Sequence, residues 1–195
     1  MDLKTRIPAD RLKALVIAGL NWPERRWVWL LIGGLALGLE IFSYVFFQAF
    51  LRLRPCELCV YIRFSMVVIF LGSLVVAIAP RRLPFRIGGG LIILWGLVRG
   101  LAWDIKLEHI YRQTEAAQGF ALCSPTTASF PFGLPLDRWL PTHFAPTAMC
   151  GEDSWGLFGL NMAEWLLPVY VFFFIAYAVL FAHRWLAGLV SAKPR

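Results

Sequence analysis

Apolar residues in this chain gather into four long runs, separated by two short polar breaks and one long mixed stretch. The runs cover about Trp27 to Phe50, Val60 to Ala79, Ile87 to Trp103 and Trp165 to Leu186, each near the ~20 residues that carry a helix across a bilayer. The pattern predicts an all-α membrane protein: a four-transmembrane-helix bundle with a long irregular loop, residues 104–164, between helices 3 and 4. Pro80 and Pro84 mark the turn between the second and third runs, and Pro168 is expected in the first turn of the fourth, where a missing N–H is tolerated. Five prolines, Pro125, Pro131, Pro135, Pro141 and Pro146, argue for irregular backbone in the loop. Asp10 to Leu20 reads as a short amphipathic helix lying on the membrane, or equally as a solvated basic tail.

Composition sharpens this picture. Of 195 residues 59% are hydrophobic and 16% charged, against roughly 45–50% and 25% in soluble domains. A single membrane domain spanning 1–195 is the economical reading. The net charge of +7 sits at the ends of the apolar runs rather than on one polar face, which speaks for topology and against nucleic acid. Residues 1–26 carry six basic residues, and Arg81, Arg82 and Arg86 crowd the second break. The long segment 104–164 has three basic residues against seven acids. Cytoplasmic termini and an outward-facing long segment follow, with the first run retained as an anchor because no small-residue cleavage site follows it.

That orientation puts all four cysteines outside, which in a bacterium means the periplasm, where disulfides persist. Cys56 and Cys59 form a C-x-x-C at the start of the second run, where free N–H groups and the helix dipole favour a thiolate. Arg63, four residues after Cys59, shares its helix face and brings a cation to it; a snorkelling arginine would be the plainer explanation. Cys123 and Cys150 lie too far apart for a redox motif but suit a loop-closing disulfide worth ~4 kcal/mol by chain entropy. With a C-x-x-C on the same side, they also suit a relay by thiol–disulfide exchange. No Gly-rich dinucleotide loop, haem-attachment sequence or ferredoxin-type cysteine run offers an electron acceptor. A membrane quinone is the natural candidate.

The run Pro55-Cys56-Glu57-Leu58-Cys59-Val60-Tyr61-Ile62-Arg63 resembles the P-C-x-x-C-x-x-x-R signature of the DsbB/DsbI disulfide bond formation proteins. FGLPLDRWLP, from Phe132 to Pro141, is similar to the corresponding loop of that family, and the order of spans and cysteines agrees over nearly the whole chain. The long basic N-terminus and FPFGLPL look closer to the DsbI branch. The resemblance implies a protein-disulfide:quinone oxidoreductase of the bacterial inner membrane that reoxidises a periplasmic thioredoxin-like oxidase of the DsbA type. It implies that Cys123 forms the mixed disulfide with that partner, Cys150 is its disulfide mate, Cys56 receives the exchange, and Cys59 faces ubiquinone or menaquinone. Arg63 matches the family arginine at the quinone. Glu108-His109 resembles a family segment whose histidine lies near it, although here two extra residues separate it from Arg99-Gly100.

Glu40, midway along the first run, also has a family counterpart; as a lipid-facing charge would be costly, it is expected inside the bundle as a structural group. His143 and His183 are isolated in sequence, and the tryptophans near span ends fit an aromatic belt. Trp139 and Phe144 are candidates for a docking surface. Two other readings remain: a quinone-linked thiol reductant similar to the vitamin K epoxide reductases, or a non-enzymatic membrane protein with a structural disulfide or a zinc site. No metal is expected on the first reading.

Overall fold

The structure is a computed structural model that describes residues 24–117, 128–150 and 155–191. Four helices carry the architecture: α1 (Arg26–Phe42, continued as a π-helical segment Ser43–Phe50), α2 (Glu57–Ile78), α3 (Leu83–Ala117) and α6 (Met162–Ser191). Each contains a stretch long and apolar enough to cross a membrane. Between α3 and α6 lie a 3-10 turn (Pro131–Gly133), two single-turn helices, α4 (Leu136–Trp139) and α5 (Pro141–Phe144), and a hairpin of β1 (Gly156–Leu157) and β2 (Leu160–Asn161).

Helix α2 is the centre of the bundle, packed against both α1 and α3, while α3 packs in turn against α6. In its apolar stretch 67% of residues are buried, against 17% in α1 and α6, whose outer faces stay apolar and unpaired as lipid-facing helices require. Along α1 the buried positions are Val28, Trp29, Gly33, Ala36 and Glu40, one stripe at helical spacing, with Leu31, Leu35 and Ile41 facing out. Glycines let α2 and α3 approach: a Cβ on Gly89 would stand 2.6 Å from the Gly72 carbonyl oxygen. Small residues at such contacts are the usual device where lipid supplies no hydrophobic drive between helices.

The spans expected from hydropathy coincide with helices whose ends differ. Helix α3 does not stop near Trp103 but runs on to Ala117, so the first part of the segment expected as loop is helical. The extension is held because Leu107, Ile110 and Tyr111 are buried while Glu108 and Arg112 pair one turn apart. Arg112 also lies 3.8 Å from Glu164, tying the extension to the start of α6. That start falls earlier than expected, at a reciprocal cap in which Asn161 N–H donates to Glu164 (2.8 Å) and Glu164 N–H donates to Asn161 Oδ1 (2.9 Å). Pro168 consequently sits inside the helix rather than in its first turn. The first run, expected as one span to Phe50, changes to π-helix at Ser43, with the Leu51 N–H donating five residues back to the Phe46 carbonyl (3.0 Å).

Candidate active site

Cys56 caps the N-terminus of α2: its backbone is extended, and its sulfur accepts from the Cys59 N–H at 3.3 Å. The helix therefore holds both thiols in its first turn. They are free, with their sulfurs 2.7 Å apart; Cys56 is buried and Cys59 half-buried. Hydrogen bonding to Cys59 and burial together push the Cys56 thiol well above its ordinary pKa.

A second segment docks beside this turn. The Pro55 carbonyl accepts from Thr147 N–H at 2.9 Å, and Cys56 pairs with Ala148 in a short parallel bridge. Cys150, two residues further on, is fully buried and disulfide-bonded. Cys123 lies outside the described residues. Tyr61 fastens the same segment, donating to Glu57 (2.9 Å) and accepting from Ser129 N–H (2.8 Å), while Phe130 packs edge-on against Tyr61, Phe64 and Phe144.

Below the dithiol lies a cavity of ≈ 360 Å³, in the roughly 300–1,000 Å³ range of small-molecule sites. Leu39, Phe46, Phe47, Met66, Trp155 and Leu166 make it apolar; Cys59, Arg63 and Glu40 give it a reactive and charged wall. Arg63 is buried, yet well supplied: Nη1 donates to Gln48 Oε1 (2.7 Å) and to the His143 carbonyl (3.4 Å), and Nε stands 4.0 Å from Glu40. Gln48 completes a clamp by donating to the Thr142 carbonyl at 2.8 Å. The cation is thus fixed by three elements at once, α1, the π-helical segment and α5, which excludes a merely snorkelling role. Cavity and wall suit a flat apolar ring that carries acceptor oxygens: room, aromatic faces, a fixed guanidinium and a sulfur are all present.

The structure brings together Cys56, Cys59 and Arg63, but not His109. That side chain lies on the exposed side of α3, its Nε2 2.9 Å from Gln113, and takes no part in the cavity wall, because α3 turns Leu107 inward instead. The histidine that reaches the site is His143, whose Nε2 comes within 2.8 Å of Glu40 Oε1. Sequence reasoning missed this pair and Gln48. Glu40 itself was marked in the sequence as a carboxylate midway along an apolar run, but as a structural group and without its partner; Gln48 and His143 carried no such mark. Phe144, expected on a docking surface, is buried in the core, whereas Trp139 is 65% exposed. Among the described residues no cluster of three His, Cys, Asp or Glu side chains is placed to hold a metal.

These features define a class: a four-span membrane protein with a dithiol at the head of an apolar pocket. Residues 25–182 match the model of the disulfide bond formation protein DsbB, and the chain belongs to that family. A relative from Shewanella oneidensis that carries the name DsbI is 40% identical over 179 residues, 85% of this chain and 84% of the relative. Protein-disulfide oxidoreductase DsbI of Salmonella typhimurium is 35% identical over 178 residues, 87% of this chain and 75% of its own. The protein of that name from Escherichia coli O1:K1 is 37% identical over 158 residues, 78% and 67% respectively.

Proposed function

We propose that this membrane protein-disulfide oxidoreductase reoxidises a periplasmic thioredoxin-like dithiol oxidase of the DsbA type and passes the electrons to ubiquinone or menaquinone. The observation that carries this reading is the shared wall of Cys59 and Arg63 on an apolar cavity directly under a dithiol. Cys123, with Cys150 as its disulfide mate, takes the partner's electrons through a mixed disulfide. Cys56 receives the exchange, and the bridge between Cys56 and Ala148 supports close approach of Cys150 to the dithiol. Cys59 then stands between Cys56 and the cavity.

A quinone held there supplies a two-electron acceptor. Arg63 orients an acceptor oxygen with its fixed guanidinium, the aromatic lining excludes water, and the helix start holds the sulfur at the cavity wall. The reading places the cysteines in the periplasm of the bacterial inner membrane, with both termini cytoplasmic.

The test uses purified protein, a reduced DsbA-type partner and ubiquinone, with quinol formation and partner oxidation followed separately. Cys59→Ala and Arg63→Ala are expected to impair quinol formation more than partner capture, and Cys150→Ala to accumulate a mixed disulfide through Cys123. Quinol formation that survives loss of Cys59, or trapping through another cysteine, overturns the assignment.

A further inference from the structure

The cavity contains few groups that can handle a proton. Its ionisable lining consists of Cys59, Arg63 and Glu40, and arginine keeps its proton at any working pH. Apart from the reacting sulfur, Glu40 is therefore the one lining side chain, among the described residues, able both to take a proton and to release it.

The surroundings of Glu40 connect it to water. Its side chain is 3% exposed, and Oε1 has no aligned hydrogen-bond donor. His143 Nε2 lies 2.8 Å from that oxygen, within hydrogen-bond reach and an ion pair only when the ring is protonated, so a modest turn of the ring makes or breaks the contact. The His143 side chain is 26% exposed and so bridges the solvent-accessible face of α5 and the buried carboxyl. Its backbone is held by Arg63, and its ring packs 4.9 Å from Tyr44. The titratable and charged groups around the pair are Arg63 and Cys59 on α2, Tyr44 on the π-helical segment, and Tyr170 on α6, which feels the Glu40 charge. From α3, the buried Asp104 is within electrostatic reach of Tyr170 and Cys59.

We propose that Glu40 and His143 form a proton path from the outer aqueous face to the cavity wall beside Cys59. The proposal rests on the reading of that cavity as the quinone site. Oxidation of the Cys56–Cys59 dithiol breaks two S–H bonds and forms one S–S bond; two electrons and two protons are taken up by a quinone, giving the quinol. The thiol protons can leave from the dithiol to outer water, while Glu40 delivers protons into the cavity and His143 reloads it. A purely structural counter-charge for Arg63 would need no exposed imidazole on its far side. The geometry also gives the site a histidine from α5 in place of the one anticipated on α3.

The experiment uses the full chain in nanodiscs, with His143→Gln, and with Glu40→Gln, which keeps the shape but cannot carry the proton. Infrared titration of the quinone-free protein is the first readout. The carboxyl band that disappears in Glu40→Gln should change its titration midpoint in His143→Gln. Single-turnover oxidation of the reduced protein by ubiquinone is the second: each variant should slow by about 100-fold, the scale of general acid–base catalysis, and added imidazole should restore rate to His143→Gln but not to Glu40→Gln. Partner disulfide exchange at Cys123 should be unaffected in both. Variants that reduce quinone at the wild-type rate, or a Glu40 band indifferent to His143, overturn the proton path while leaving the quinone reading standing. A wild-type protein that exchanges disulfides but forms no quinol overturns the quinone reading itself, and the path with it.

Discussion

At the scale of single residues, the proposed chemistry centres on a cation buried one helical turn from a dithiol. Arg63 Nε stands 4.0 Å from Glu40 inside the bundle, and both side chains are buried. Arg63→Ala should therefore cost stability as well as activity, by about 3–5 kcal/mol, because it removes a buried cation that holds Gln48, the His143 carbonyl and the neighbouring Glu40 together. Thermal unfolding in detergent checks this, and Glu40→Gln added to Arg63→Ala should recover part of the loss. Cys56 offers a pH test. Its thiol is pushed up by hydrogen bonding to Cys59 and by burial, so it holds its proton through neutral pH and becomes a nucleophile only as pH rises well into the alkaline range. Alkylation of the reduced wild-type protein, with the Cys56 adduct resolved by peptide mass spectrometry, should be slow at pH 7 and accelerate in alkali; ready modification of Cys56 at neutral pH would contradict its burial and its bonding to Cys59. What the sequence made legible at this scale was local. Cys56, Cys59 and Arg63 lie within one helix start, and their relation follows from helical spacing alone. Glu40, Gln48 and His143 join them through tertiary contacts between distant segments, which no periodicity records.

At the scale of elements, hydropathy located four helices because long apolar runs mark lipid-spanning segments, but it could not place their ends. Those are set by polar particulars: the Asn161–Glu164 cap, the pairing of Glu108 with Arg112, and the change to π-helix at Ser43. The cap was written in the sequence as Asn-x-x-Glu; the π-helical segment had no such mark. It turns Phe46 and Phe47 toward Trp155 and so shapes the cavity wall. The α2–α3 contact makes its own prediction. A Cβ at Gly89 meets backbone, 2.6 Å from the Gly72 carbonyl oxygen and 2.9 Å from the Val76 nitrogen, and neither can rotate away. Gly89→Ala should destabilise by ~1–3 kcal/mol through forced separation of the helices, whereas Gly88→Ala, which meets open space, should be neutral or mildly stabilising in unfolding measurements. The hairpin supplies a contrast. Phe158 is 87% exposed and has φ 56°, a left-handed conformation that asparagine tolerates far better. Phe158→Asn should raise the melting temperature slightly.

At the scale of the whole molecule, the two ends of α2 differ in kind. Its first turn holds the dithiol and the docked Thr147–Ala148 strand, and just beyond its last turn are Arg81 and Arg82. Its 22 residues span about 33 Å at 1.5 Å per residue, enough to cross a hydrocarbon core of about 30 Å. The cysteine end and the arginine end therefore lie on opposite sides of a membrane whichever way the chain is inserted, and the proposed orientation, in keeping with the basic clusters, puts the arginine end inside. This orientation is what the proposed function requires, since a dithiol oxidase outside the cell membrane reaches only the cysteine end. In spheroplasts treated with a permeable reductant, an impermeant maleimide should label the cysteine end of the wild-type protein. In a cysteine-free background, Arg81→Cys, at a side chain 81% exposed, should label only after the membrane is permeabilised. The opposite pattern would put the dithiol in the reducing cytoplasm, where the electron flow proposed here has no outside partner to draw from.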